Sequence, residues 1–281
     1  MFRRLLLTPV ALLFAALASS TQTTSSCDRS LLVEATNRYI AAQSLGQVKY
    51  LTTLSPNATY TENASLANIT GGILSHALKI DHSRSIHDVV ACSAYTELII
   101  ADPSHPYVIG TQLHVTNGSI TKVETLVTDA DDWLFNAQHT LVYALRESWE
   151  TIPVDKRDTR QTIQAAADAY LDLFKKGNGS VAVPWADNCR RLEGGLYTAP
   201  GDTCNDGVPS GVDLVNRRYV VDETVGVVDV FLTFGNNGLP DSHEFRIENG
   251  KIRYVHTLTV CSQPNCGFGD LPAILGEDIG F

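Results

Sequence analysis

Four side chains in this sequence could move protons or steer charge: Glu62, Glu193, Arg191 and His256. Glu62 and Glu193 stand 193 − 62 = 131 residues apart, and each ends a short proline-containing segment, SPNATYTENA and PWADNCRRLEGG. In an extended chain, alternation puts Tyr60 beside Glu62 and Arg191 beside Glu193. A carboxylate so placed can hold or remove a proton, and a guanidinium next to it can polarise an oxygen. The bland alternative is an Arg-Glu pair that fixes the segment to a sheet, and presence in both halves favours it.

His256 lies in NGKIRYVHTLTV, near-duplicate of NGSITKVETLVT at an offset of 249 − 117 = 132, with six of twelve positions identical. Asn-Gly is the preferred pair for a two-residue hairpin turn, because both central positions need positive φ. Regular pairing outward from Asn249-Gly250 then puts Phe245, Ile247, Ile252, Tyr254, His256 and Leu258 on one face. A neutral imidazole on such a face could act as a general base; it could equally be a core histidine bonded to a carbonyl. The first copy carries Lys122 and Glu124 where the second has Tyr254 and His256. A pocket for a hydrophobic small molecule is therefore expected in the second half, with Phe245, Tyr254, Trp185, Tyr219 and Phe231 as aromatic lining and Tyr60 as the first-half counterpart.

Other chemistries lack their residues. No GxSxG elbow, P-loop or GxGxxG occurs, and His82 and His87 in DHSRSIH have neither HExxH spacing nor a cysteine nearby. A reaction without metal or cofactor is the expectation.

The elements that must position these residues also come in two sets. SLLVEATNRYIAAQSLG and TRQTIQAAADAYLDLFKKG read as amphipathic helices ending at glycine, and Tyr39 corresponds to Tyr170. Strand-like runs follow each helix. The pattern predicts an α+β fold of two tandem cone-shaped domains, each with N-terminal helices packed on a curved antiparallel sheet. The boundaries expected are 27–128 and 161–261, with a packed linker at 129–160 and a tail at 262–281. Residues 1–18, with a basic start and an apolar run from Leu5 to Leu17, read as a secretory signal peptide too short to span a membrane.

Six cysteines in a secreted chain allow fifteen connectivities, and nearest neighbours suggest Cys27–Cys92, Cys189–Cys204 and Cys261–Cys266. Sequons at Asn57, Asn63, Asn68, Asn117 and Asn178 mark candidate glycosylation sites that must be exposed. A net charge of −10 argues against nucleic acid as a partner.

The order helix, carboxylate segment and bent sheet resembles the nuclear transport factor 2-like fold, shared with SnoaL-like cyclases. YTENA, VPWADNCRRLEGG, NRRYVVDETVG and FRIENGKIRYV are similar to a fungal secreted family of unknown function with two such domains, over about Cys27 to Val260. The resemblance implies a secreted, cofactor-free cyclase or isomerase of secondary metabolism. In its sharpest form it implies an intermolecular hetero-Diels-Alderase joining a tropolone quinone methide to a terpene, with no covalent machinery beyond orientation. A carrier for a hydrophobic molecule and a secreted interaction protein remain open beside it. The sheet face typically exposed in the resembled fold would allow a homodimer.

Overall fold

The computed structural model describes residues 27–175, 181–198, 204 and 208–267. The expected signal peptide, Asn178 and the tail beyond 267 lie outside them.

Each half is a helix laid into a curled six-stranded sheet. Helix α1 (Arg29–Leu45) starts where the Asp28 side chain accepts the Leu31 N–H at 2.9 Å and stops at Gly46, whose φ of 62° suits a left-handed cap. It buries Leu32, Ala35, Tyr39 and Ala42, spaced three and four apart. Its sheet comprises β1 (Leu54–Glu62), β2 (Ser65–Leu66), β3 (His82–Asp88), β4 (Ser93–Ile100), β5 (Tyr107–Thr116) and β6 (Ser119–Thr128), in the order β2-β1-β6-β5-β4-β3. After helix α2 (Ala137–Ala144), the plan repeats. Helix α3 (Arg160–Asp172) precedes β7 (Trp185–Glu193), β8 (Leu196–Tyr197), β9 (Leu214–Asp222), β10 (Val227–Phe234), β11 (Leu239–Glu248) and β12 (Lys251–Thr259), in the order β8-β7-β12-β11-β10-β9. The meander β3 to β6 is antiparallel, and β1 joins it parallel to β6, as β7 joins β12. The fold is α+β with two tandem domains.

Both hairpins turn at Asn-Gly with positive φ, 51° and 77° in the first and 54° and 72° in the second. Regular pairing fails one step later. Ile247 faces Ile252, but Arg246 faces Tyr254 and Phe245 faces Val255, so Arg253 is an extra residue, a β-bulge. Thr121 plays the same part in the first hairpin, where Val115 faces Ile120 and His114 faces Lys122. One extra residue exchanges the faces of everything beyond it. Phe245, Ile247, Ile252 and Val255 therefore fill the second cone, and Tyr254, His256 and Leu258 point to the other face of the sheet, against the expectation that all of them share one side.

That other face is not exposed. The two sheets pack on each other through Ile86, Tyr95, Leu126, Val220, Val227 and Phe231, and α2 covers Ile99, Val108 and Leu258 beside them. The second half thus occupies the surface on which a homodimer was expected to form.

The three disulfides join Cys27 to Cys92, Cys189 to Cys204 and Cys261 to Cys266. Among the described residues no helix is long and apolar enough to cross a membrane. Asn57, Asn68 and Asn117 are exposed. The Asn63 side chain is tied to Val127, accepting that residue's N–H at 2.8 Å and donating to its carbonyl.

Candidate active site in the second cone

The second cone holds a cavity of about 250 Å³. One wall is apolar, with Tyr170, Phe174, Val212, Phe234 and Leu239. The other carries Arg191, Glu193, His243, Thr257 and Thr259. Alternation on β11 brings His243 and Asp241 to the same side as Phe245 and Ile247. His243 Nδ1 lies 2.6 Å from Asp241 Oδ1, and the Thr259 hydroxyl donates to Asp241 Oδ2 at 2.6 Å. Both residues are at most 2 % exposed. A carboxylate beside Nδ1 selects the Nδ1–H tautomer of a neutral imidazole, in which Nε2 is the nitrogen that can accept from a ligand. This is the orientation of a general base.

Beside the dyad, Arg191 Nη2 and Nε donate to Glu193 Oε1 at 2.5 and 3.2 Å, and Arg191 Nη1 donates to the Cys204 carbonyl at 2.9 Å. Burial would raise the Glu193 pKa, but the Arg191 charge and hydrogen bonds from Arg191, Thr198 and Trp133 hold it below the usual carboxylate range. The Tyr170 ring lies 5.6 Å from His243 and 5.9 Å from the Arg191 guanidinium. Burial, with the Glu193 and Asp241 charges, pushes its phenol up despite Arg191, so Tyr170 stays a proton donor.

The first cone shows what the same frame does without these groups. Offsets of 131 and 132 place Tyr60 where Arg191 stands, Ile109 where Asp241 stands and Thr111 where His243 stands. Thr111 there bonds the Tyr39 hydroxyl at 2.7 Å and Thr125 at 3.0 Å. Glu62 accepts from the Tyr60 hydroxyl and from Ile73 N, the latter at 2.7 Å, and Ile73, Leu74 and Leu78 fill the interior. Glu62 and Tyr60 thus serve as a clamp on the segment that closes their own cone.

His256 lies far from any such role. It sits between the domains, with Nδ1 2.9 Å from Glu97 and Nε2 2.6 Å from Glu147. Burial alone would lower its pKa, but those two carboxylates raise it to about 10. A charged imidazole with both nitrogens donating has no lone pair to accept a proton, so His256 is an ionic pin and not a base. Arg84 completes the network, reaching Glu97 at 2.9 Å and Glu244 at 2.5 Å. Glu97, Glu244 and His256 lie close enough together to ligate a metal, but Arg84 Nη2 already occupies the space between the two carboxylates.

The aromatic residues expected at the pocket divide similarly. Phe245 packs in the cone core against Tyr170, and Trp185 meets the Tyr170 ring edge-on at 5.4 Å. Tyr219 donates to Asp168 of α3 at 2.7 Å. Phe231 and Tyr254 belong to the domain interface, against Tyr95 and Trp149 respectively. Of the expected catalytic set, Arg191 and Glu193 line the cavity. His243, Asp241, Tyr170 and Trp133 were missed. A signal for the first two existed: the bulge lies in β12, so plain alternation back along β11 from Ile247 leads through Phe245 to His243 and Asp241.

The family model described as "Domain of unknown function (DUF8021)" matches residues 156–259. No curated protein matches the chain. Among solved structures, the chain is similar to an NTF-2 like protein of unknown function from Burkholderia xenovorans, at 16 % identity over 36 % of this chain and 84 % of that one, with a TM-score of 0.30. It is also similar to an NTF2-like protein of unknown function from Cytophaga hutchinsonii, at 14 % identity over 35 % and 83 %, with a TM-score of 0.26.

Proposed function

We propose that this protein is a secreted, cofactor-free acid-base catalyst, a cyclase or isomerase acting in the second cone on one small, largely apolar molecule that carries a carbonyl or enol oxygen. The observation that supports it most is the His243–Asp241 dyad on the cavity wall, in a frame whose first copy has Thr111 and Ile109 instead. In this reading His243 Nε2 removes a proton from carbon next to the carbonyl. Tyr170 and Arg191, which line the same cavity, hydrogen-bond the oxygen as it gains charge. The protonated imidazole then returns its proton elsewhere on the substrate, which moves a double bond or closes a ring. Asp241 keeps the imidazole oriented throughout.

Volume bears on the sharper reading. An intermolecular hetero-Diels-Alder reaction needs a quinone methide and a terpene held together, and a cavity of about 250 Å³ is below the ~300–1,000 Å³ usual for ligand pockets. A single-substrate reaction suits it better. The three disulfides support a secretory route.

The test is deuterium incorporation into 2-tetralone in heavy water, followed by NMR. The intact protein should accelerate exchange next to the carbonyl, and His243→Asn should slow it by about 10²-fold or more, the usual worth of a positioned base. Exchange equal to the protein-free control, with 2-tetralone bound, would instead make the protein a carrier.

A further inference from the structure

The second cone does not build its site alone. Residues 129–136, which leave the first domain after β6, run back across the turn between β7 and β8. Gly195 N donates to the Leu134 carbonyl at 2.8 Å, and the Thr140 hydroxyl donates to the Gly194 carbonyl at 2.8 Å. The approach is so close that a Cβ on Gly194 would fall 2.4 Å from the Trp133 carbonyl oxygen, and one on Gly195 2.4 Å from the Asn136 Cβ. This explains the two glycines that end VPWADNCRRLEGG: they admit a second backbone.

On its other side the strap is held by the loop that the Cys261–Cys266 disulfide closes. Cys261 N donates to Asp132 Oδ1 at 2.6 Å, Leu134 N to Asn265 Oδ1 at 3.2 Å, and Asn265 N to the Asp131 carbonyl at 2.8 Å. Held from both sides, Trp133 lines the cavity, and its indole Nε1 donates to Glu193 Oε2 at 3.2 Å. Arg191 and Thr198 donate to the other oxygen, Oε1. In the first cone the matching carboxylate, Glu62, takes its donors from Tyr60 and Ile73 of its own domain.

We propose that Trp133 is a positioning residue for the second-cone site: delivered by the interdomain strap, it fixes the Glu193 carboxylate, and through it the Arg191 guanidinium, at the cavity wall. The inference rests on the catalytic reading of that cavity. It also makes the working unit longer than the family match at 156–259, which contains neither Trp133 nor the loop that seats it.

The experiment uses the full chain. Trp133→Phe keeps an aromatic ring and removes only the N–H. In protein labelled with ¹³C at glutamate side-chain carboxyls, with the Glu193 signal assigned by its loss in Glu193→Gln, the Glu193 titration midpoint should rise by about one pH unit. That is the size expected for losing one hydrogen bond to a charged group. If the strap only adds stability, Trp133→Phe lowers the melting temperature and leaves the Glu193 titration superimposed on the wild type, which overturns the proposal. Should Trp133→Phe fail to fold, Asn265→Ala loosens the strap without touching the indole and must move the same midpoint upward; an unmoved midpoint there overturns it as well. Because the titration needs no turnover, inactivity toward 2-tetralone would count against the catalytic reading and leave the positioning result intact.

Discussion

Two buried histidines sit in contrasting surroundings, and their neighbours set what each can do. His243 has one carboxylate on Nδ1 and a cavity before it; His256 has a carboxylate on each nitrogen and a second domain against it. Removing His256 leaves Glu147 buried without its cation and Glu97 with Arg84 alone. His256→Ala should therefore cost about 3–5 kcal/mol at pH 7, as breaking a buried ion pair from one side does. The sign with pH follows from a folded pKa of about 10 against an ordinary ~6.5. The stabilisation is complete below about pH 6.5 and is lost as pH rises through 10. Urea denaturation of wild type and His256→Ala at pH 7 and 10 checks this, since the gap should close at the higher pH. A gap of constant size would mean that His256 is uncharged in the folded protein.

At the scale of elements, sequence carries turns and faces well and bulges badly. Asn117-Gly118 and Asn249-Gly250 turn where their chemistry says they must, and the stripe Ile163, Ala166, Ala167, Tyr170 and Leu171 is buried as its spacing requires. Nothing local marks Thr121 or Arg253 as an extra residue; the bulge is stabilised by which side chains end up in the cone and which in the interface, a tertiary matter. A pattern of Val, Thr and Leu on β12 accepts either face, so one unseen residue moved His256 out of the cone. The strap was legible only as a packed linker, because its seating depends on the β7–β8 turn and the Cys261–Cys266 loop, both distant in sequence. Its Asp132 offers a test. Burial, aided by the nearby Asp129 and Asp131, raises its pKa to about 6 in spite of hydrogen bonds from Cys261 N and Asp129 N. With an ordinary value of ~3.9 when unfolded, the native state binds the extra proton, so this group's stabilisation is present below about pH 4 and lost as pH rises through 6. Asp132→Asn should remove that slope. Urea midpoints of the two proteins between pH 4 and 7 must then converge or diverge with pH, and parallel curves would show that Asp132 does not titrate there.

For the whole molecule, the duplication explains how the halves hold each other. Arg29 at the start of α1 binds Asp222 of β9 through two contacts of 2.8 Å; Arg160 at the start of α3 binds Asp88 of β3 through two of 2.7 Å. Each aspartate also accepts a backbone N–H from the opposite domain, His87 N on Asp222 and Val221 N on Asp88, both at 2.9 Å. Arg84 and Arg218 also reach across, and 218 − 84 = 134 matches 222 − 88 = 134, but their partners Glu244 and Glu124 are not equivalent positions, since Glu124 corresponds to His256. The two aspartate clamps make the self-complementary pattern of a two-fold dimer interface, here written into one chain. Because Asp88 adjoins His87 and Asp222 adjoins Val221, the two clamps share a backbone crossing and should not act independently. Arg29→Ala and Arg160→Ala should each cost about 1.5–3 kcal/mol, the worth of hydrogen bonds to a charged group. The double variant should depart from their sum by about 0.5–3 kcal/mol, as expected of residues in one network. Urea denaturation of the four proteins closes the cycle. Simple additivity would mean that the clamps are separate surface pairs and that the apolar cluster around Tyr95 and Phe231 alone sets the docking of the halves.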